Sequence, residues 1–362
     1  MSNNTGKVLE SYPMNGGDGA YSYTKNSYLQ RAATSITDAK IHEAITEKLD
    51  IGKLSSTSNT LRIADLGCSV GPNTFIAMQN VLEAMQHKYR TQDPSSKFPA
   101  FQVLYNDHAS NDFNTLFASL PSERQYFAAG VPGSFYNRLF PKSSLHFVHS
   151  SYALQWLAKV PEEVLDKNSP AWNKGRIHYT NAAEDVGNAY AAQFAKDMGI
   201  FLDARAKELV AGGMMVLILP SIPDGIPNSR VPAGVMFDLL GSSLMDMAKE
   251  EIISESLVDS FNLPVYAASL KEMKDIIERN GCFSIEKIET TNPLSKIDIQ
   301  LGTRPCTMHL RAGMEGIISK HFGNKIIDEL FDRLDRKAEE YSYLLNASYT
   351  AGTQLFIVLT RK

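Results

Sequence analysis

The sequence predicts an α/β protein with a parallel, doubly wound sheet, and two observations carry the prediction. Short apolar runs bounded by turn residues alternate with longer amphipathic runs along residues 61–219. The first apolar run also ends in a glycine turn that opens into a helical pattern. Leu61-Arg-Ile-Ala-Asp65 is the first expected strand, and Asn73 to Tyr89 the first helix after it, with Phe75, Met78, Val81, Leu82 and Met85 at helical spacing. Phe101 to Tyr105 is the second strand, ending in Asn106-Asp107. Asp112 to Leu120 is helical, Tyr126 to Val131 is a third strand and Leu145 to His149 a fourth. A helical start follows at Tyr152 to Leu157. A long amphipathic helix from about Ala182 to Val210 precedes Gly212-Gly213 and the apolar strand Met214 to Leu219.

Beyond Leu219 the pattern changes. The Pro/Gly-rich break from Pro220 to Asn228 leads to helices at about Ala233 to Glu250 and Leu270 to Asn280. Strand-like Phe283 to Glu289 and Leu355 to Thr360 are separated by a helical region, His321 to Tyr341. Helices placed after the fifth strand predict a cap over the carboxyl edge of the sheet, where open α/β folds bind ligands.

Composition narrows the class. The 362 residues carry 36 Lys and Arg against 40 Asp and Glu, a net charge of −4, so there is no basic footprint for nucleic acid or anionic lipid. The longest apolar run, Met214 to Leu219, falls far short of the roughly 20 residues of a membrane span. Three scattered cysteines, Cys68, Cys282 and Cys306, suit neither a disulfide framework nor a zinc site. Without a basic and apolar leader at Met1, the expectation is a cytoplasmic globular protein, so the Asn3 and Asn346 sequons are expected to go unused.

The turn Asp65-Leu-Gly-Cys-Ser-Val-Gly71 has G-x-x-x-G, not the G-x-G-x-x-G of dinucleotide folds, and no Gly-Lys-Ser/Thr of a Walker loop. An acid ending the first strand beside a glycine turn fits a ligand with a cationic, amino-acid-like end, and S-adenosylmethionine is one. Asp107, ending the second strand, can accept both hydroxyls of an adenosine ribose. Plain strand-ending turns would give the same spacing.

Further motifs add a family resemblance. Met14-Asn-Gly-Gly-Asp-Gly19, Ser22-Tyr-Thr-Lys-Asn-Ser27, Ile63 to Asn73, Asn111-Asp-Phe-Asn114, Gly130 to Tyr136, His149-Ser-Ser-Tyr152, Asn173-Lys-Gly175, Asp259 to Pro264 and His321-Phe-Gly323 are collinear over essentially the whole chain. Together they resemble the plant SABATH methyltransferases, which include salicylate, jasmonate, loganate, farnesoate and xanthine enzymes. The resemblance implies a Rossmann-like class I methyltransferase sheet with a helical cap. Residues 1–220, with 282–289 and 354–362, would form mainly the S-adenosylmethionine-binding core, and 221–281 with 290–350 mainly the helical cap. It also implies a homodimer.

Carried over residue by residue, the resemblance puts Tyr23 and Ser27 at the methionine part of the donor, with Asp65, Cys68 and Asn73 around its amino and carboxylate groups. Asp107 takes the ribose, Ser134 and Phe135 flank the adenine, and His108 stands where the family usually has leucine. Gln30, Tyr152 and Trp156 hold the acceptor. An indole N–H and a glutamine amide are donors that suit a carboxylate. Tyr152 and Trp156, four residues apart, would share one face of a helical turn. A carboxylate with pKa about 4–5 is ionised at neutral pH and needs no base, so His146 and His149 are read as packed or supporting residues. A magnesium-like ion is implied near Asn173, Asp259, Phe261 and Asn262, an oxygen-rich set with a single carboxylate.

Trp172 is read as a loop anchor and Asp332 to Lys337 as a solvated helix face. Asn15 stands where salicylate-type members carry lysine. Lys167 to Tyr179 and Gly241-Ser-Ser-Leu-Met245 look most like the loganate and farnesoate branch, but Gln155, Phe237 and Val265 depart from its polar pattern. An apolar wall from Phe237 and Val265 suits an acid with few hydroxyls. Leu154-Gln-Trp156 and Phe261 to Tyr266 also resemble xanthine N-methyltransferases. The expected reaction is carboxyl O-methylation of a small plant acid. Ring-nitrogen methylation is the alternative, and a non-catalytic acid sensor the third.

Overall fold

The computed structural model describes residues 12–56, 58–92, 98–293 and 302–362. Seven strands form one sheet in the order β3-β2-β1-β4-β5-β7-β6. They are β1 (Thr60–Leu66), β2 (Ala100–Asp107), β3 (Phe127–Pro132), β4 (Leu145–Ser151), β5 (Leu209–Ser221), β6 (Phe283–Thr291) and β7 (Thr353–Arg361). The first five are mutually parallel, as the alternation of elements predicts. The sheet is not wholly parallel, because β7 runs antiparallel to both β5 and β6. It can enter the sheet in that sense because the chain reaches it from the cap side, without a crossover helix.

Side chains alternate across the central strands, so β5 buries Met214, Val216 and Ile218 in one core and Met215, Leu217 and Leu219 in the other. The first core is covered by α2 (Tyr28–Lys48), α3 (Ile51–Ser56) and α4 (Pro72–Gln92). The second is covered by α6 (Glu184–Glu208) and α9 (Leu270–Asn280), and runs on into α7 (Pro232–Lys249), α10 (Arg304–Phe322), α11 (Ile327–Glu340) and α12 (Ser342–Ser348). The short helices are α1 (Tyr23–Asn26), α5 (Phe113–Ala118) and α8 (Glu255–Asp259). Among the described residues, no helix is long and apolar enough to cross a membrane.

Two sequence expectations change. The single helical region from His321 to Tyr341 is two elements, because Gly323 at φ 84° stops α10 before α11 starts. Tyr152 to Leu157 is no helix but a turn, and Trp156 forms an isolated bridge with Val265. Tyr152 sits at φ 53°, which ends β4 abruptly, and Gln155 Nε2 donates to the Tyr152 carbonyl at 2.8 Å. The charge run in α11 is also more than a solvated face: Arg333 pairs with Glu250 and Glu329, and Lys337 with Asp246, fastening α11 to α7. Asn346 is exposed on α12, whereas Asn3 lies outside the described residues.

Candidate active site

The loops after β1, β2 and β3 are tied together by one residue. The Asn106 backbone carbonyl accepts from the N–H groups of Gly67 and Cys68, and its side-chain amide donates to the carbonyls of Val131 (2.7 Å) and Gly133 (2.9 Å). Gly67 turns at φ 83°, and a Cβ there would lie 2.3 Å from the Ala153 Cβ, so only glycine allows the β1 turn to approach Ala153. Ser69, left-handed at φ 52°, donates its N–H to Asp107 Oδ2 at 2.8 Å, while His108 N–H reaches Oδ1 at 2.7 Å. The Asp107 carboxylate is therefore fixed by both oxygens and aimed by its backbone. Burial pushes its pKa up to about 6, against the pull of those two N–H groups.

Tyr23, Asp107, His108, Ser134 and Phe135 line one cavity of about 80 Å³, together with Gly67, Ser69 and Gly133. Ser27, Asp65, Cys68 and Asn73 stand outside that lining and satisfy one another or their neighbours. Asn73 Nδ2 donates to Ser27 Oγ at 3.0 Å. Asp65 accepts from Thr74 and from His149 Nδ1, the latter at 2.7 Å. Cys68 is buried, and burial raises its thiol well above the ordinary range. His146 accepts the Arg62 N–H at 3.0 Å. Both strand histidines thus support the sheet.

Gln30, Tyr152, Gln155, Trp156, Phe237 and Val265 all line a second cavity, of about 240 Å³, under the cap. Four residues border both cavities: Met14, Tyr23, Tyr152 and Trp156. Tyr152 and Trp156 converge there through the turn, not through a helical face. The Tyr152 hydroxyl donates to Gln354 Oε1 at 2.9 Å, and the Trp156 carbonyl accepts from Tyr136 at 2.6 Å. Burial raises the phenols of Tyr23 and Tyr152 above their ordinary range, with Asp107 adding to the first and Tyr23 to the second. Both therefore stay protonated at neutral pH. None of these four shared residues is a carboxylate or an imidazole.

Three supports were not legible in the sequence. Arg205 and Glu208, both fully buried at the end of α6, clamp the loop that carries Ser134 and Phe135. The guanidinium donates to the carbonyls of Phe135 (2.7 Å) and Asn137 (2.9 Å), and the carboxylate accepts the N–H groups of Leu139 and Phe140. His178 donates from Nε2 to the Val265 carbonyl (3.0 Å) and pairs with Thr180, which in turn accepts from Asn228. Burial drives the His178 pKa down to about 3. His309 stands beside Gln30. Apart from the local pairs Arg205 with Glu208 and His178 with Thr180, their partners lie tens to hundreds of residues away.

Asn173, Asp259, Phe261 and Asn262 come together, but not as a cation shell. Asn262 Oδ1 accepts from Asn173 (2.6 Å) and Asp259 Oδ1 from the Gly175 N–H (2.7 Å), whereas Asn173 Oδ1 is buried with no hydrogen-bond partner. Among the described residues, no three His, Cys, Asp or Glu side chains form a group able to hold a metal. A set with one carboxylate, already accepting a backbone N–H, is weak for a divalent cation, so these residues do not support the ion expected from the sequence. Trp172 lies outside the lining of both cavities, with Lys174 over its ring.

A sheet of this order, with paired cavities at the carboxyl ends of its strands, defines a class I methyltransferase. Residues 9–362 match the model of the S-adenosylmethionine-dependent carboxyl methyltransferases, and the chain belongs to that family, the plant SABATH enzymes. It is 46% identical to a loganic acid O-methyltransferase of Catharanthus roseus, over 98% of this chain and 95% of that one. A solved loganic acid methyltransferase with SAH superposes with a TM-score of 0.92 at 46% identity, covering 97% of this chain and 99% of the other. A paraxanthine methyltransferase of Arabidopsis thaliana is 39% identical over 98% of this chain and 99% of its own.

Proposed function

We propose that the chain moves the methyl group of S-adenosylmethionine to the carboxylate of a small plant acid with a largely apolar body. The observation that carries this reading is the junction of the two cavities at Met14, Tyr23, Tyr152 and Trp156, four side chains of which none takes a proton at neutral pH. A carboxylate needs none. Its oxygen lone pair forms the new C–O bond, the C–S bond breaks with its electrons remaining on sulfur, and a methyl ester and S-adenosylhomocysteine leave. Catalysis then rests on holding the oxygen about 3 Å from the methyl carbon and in line with sulfur, and on excluding water.

In this reading the first cavity receives the donor, Asp107 holding the ribose and Ser134 and Phe135 flanking the adenine. Ser27, Asp65, Cys68 and Asn73 shape the methionine end from behind. The second cavity receives the acceptor. Trp156 suits the carboxylate because its half-buried indole N–H has no acceptor among the described residues. Phe237 and Val265, with Met236, Leu310 and Met314, supply an apolar wall. Residues 1–220 with 282–289 and 354–362 as mainly the donor-binding core, residues 221–281 with 290–350 as mainly the cap, and assembly as a homodimer belong to the same reading, the last checked by the mass of the purified chain in solution.

The test is transfer from labelled donor to a panel of plant acids and xanthines. Base-labile product supports an ester, whereas base-stable product moves the assignment to ring nitrogen. Trp156→Phe keeps the aromatic wall and deletes the N–H. It should lower kcat/KM about 10- to 150-fold, the cost of a lost hydrogen bond to a charged group, with donor affinity intact. Full activity in Trp156→Phe removes the indole from the carboxylate site.

A further inference from the structure

His309, on α10, lines the acceptor cavity with Gln30 of α2. Its Nδ1 lies 2.8 Å from the Asn26 carbonyl oxygen. A carbonyl only accepts, so Nδ1 carries the proton. Burial lowers the affinity of the ring for a second proton, which leaves Nε2 a lone pair. That lone pair lies 3.2 Å from Gln30 Nε2, and between these two nitrogens the amide must donate. The edge of the imidazole meets Tyr28, with ring centroids 6.4 Å apart at 74°, which fixes its plane.

The consequence falls on Gln30. A glutamine amide can present either end to a neighbour, and its neighbour's hydrogen bonding decides which. Here one hydrogen of Nε2 is spent on His309, so one remains. The carbonyl end, Oε1, is buried with no hydrogen-bond partner and no exposure to the open cavity. With the amide reversed, that oxygen would meet the Nε2 lone pair of His309, and acceptor would face acceptor. The anchor on Asn26 therefore fixes the tautomer, the tautomer fixes the amide, and the amide keeps its donor end available while its oxygen is turned from the cavity. A carboxylate acceptor requires that sense, because a carbonyl aimed at it would repel.

We propose that His309 is a positioning residue which, through Gln30, orients the amide donor for the acceptor carboxylate. The proposal rests on the reading of the second cavity as the acid site. It predicts that His309 affects acceptor binding and only through Gln30, which neither a packing role nor a direct contact would do.

The test is a double-mutant cycle with acceptor KM, kcat and donor Kd as readouts. His309→Asn keeps a donor near Asn26 and removes the acceptor for Gln30. It should raise acceptor KM about 5- to 20-fold with donor Kd unchanged. His309→Gln offers a carbonyl oxygen near the Nε2 position and should restore most of that loss. In a Gln30→Ala background, His309→Asn should add less than about a twofold effect, since its target is gone. His309→Met, which fills the volume without an acceptor, replaces the Asn variant if that one does not fold. Multiplying effects in the cycle, a donor Kd that moves with acceptor KM, or unfolding of both the Asn and Met variants would each overturn the proposal. Wild-type protein that yields no base-labile product defeats the acid reading instead, whatever the cycle gives.

Discussion

Lowering the pH from 7.5 to 5 should weaken donor binding about tenfold through one side chain, Asp107. Its carboxyl titrates near 6 because burial opposes the charged form, although the N–H groups of Ser69 and His108 oppose that shift. Ribose hydroxyls donate to a carboxylate far better than to a carboxylic acid, so the binding-competent form is the ionised one. The apparent Kd then scales as one plus the ratio of protonated to ionised form, about 11-fold at pH 5 and near unity at 7.5. That is roughly 1.4 kcal/mol. Titration is also the least invasive perturbation. Both carboxylate oxygens accept a backbone N–H, so an asparagine would set its NH₂ against one of them. The sign separates the effect from acid unfolding. A carboxyl whose folded pKa is raised makes the unliganded fold more stable as pH falls from about 6 toward the ordinary carboxylate range, while donor binding moves the other way. Calorimetric titration with S-adenosylhomocysteine at half-unit pH steps measures it, since that ligand's own groups do not titrate between pH 5 and 7.5. A flat affinity across pH 5 to 6.5, or the same slope in Asp107→Ala, would refute the assignment of Asp107 to the ribose.

Two further expectations concern the cap. Phe237, packed 4.7 Å from the His178 ring, and Val265 close the acceptor cavity with apolar surface, so Phe237→His or Val265→Gln should move the kcat/KM ranking toward hydroxylated acids by about 1–3 kcal/mol. An unchanged ranking in both variants would take these residues off the acceptor wall. His178 is neutral and buried with a pKa near 3, whereas the unfolded chain protonates it below about 6.5. Its contribution is present above pH 6.5 and lost as pH falls toward 3, about 2 kcal/mol by pH 5. His178→Gln should therefore show a shallower decline in thermal stability between pH 6.5 and 5, and an identical slope would assign the acid sensitivity elsewhere.

What the sequence made legible follows from range. The strands of the central sheet are short apolar runs, and the Asp65 to Gly71 turn and Asp107 sit at their ends, so strand and site positions could be read together. Helix α2 escaped because its buried face is Ala33, Thr34, Thr37, Ile41, Ala44 and Ile45, with too little apolar contrast to mark a period. The turn at Tyr152 escaped for the opposite reason. Its apolar spacing imitates a helix, and only tertiary contacts reveal otherwise: Tyr152 N–H to the Ile218 carbonyl, and Leu157 N–H to the Pro264 carbonyl. His178 and His309 sit in segments of mixed polarity that give no local signal, and their roles depend on Val265, Gln30 and Asn26.

The segment before α1 joins these parts into one device. Met14 of this strap and Tyr23 at the start of α1 border both cavities, so the strap spans the two. Among the bonds that hold it are Asn15 N–H to the Ala312 carbonyl on α10, Gly17 N–H to Asp112 Oδ2, and Tyr23 N–H to the Asn15 carbonyl, each at 2.9 Å. The seat on α10 has to be small. A Cβ at Gly316 would lie 2.4 Å from Tyr12 Cδ1, whereas one at Gly313 would make only an ordinary contact with the Met14 sulfur, at 3.5 Å. A reaction with no proton to move gains most from dehydrating a sulfonium and a carboxylate at the same moment, because both ground states are strongly hydrated and the charge cancels as the bond forms. In the proposed reading one strap covers both cavities at once, and α10 both seats that strap and carries His309 against Gln30.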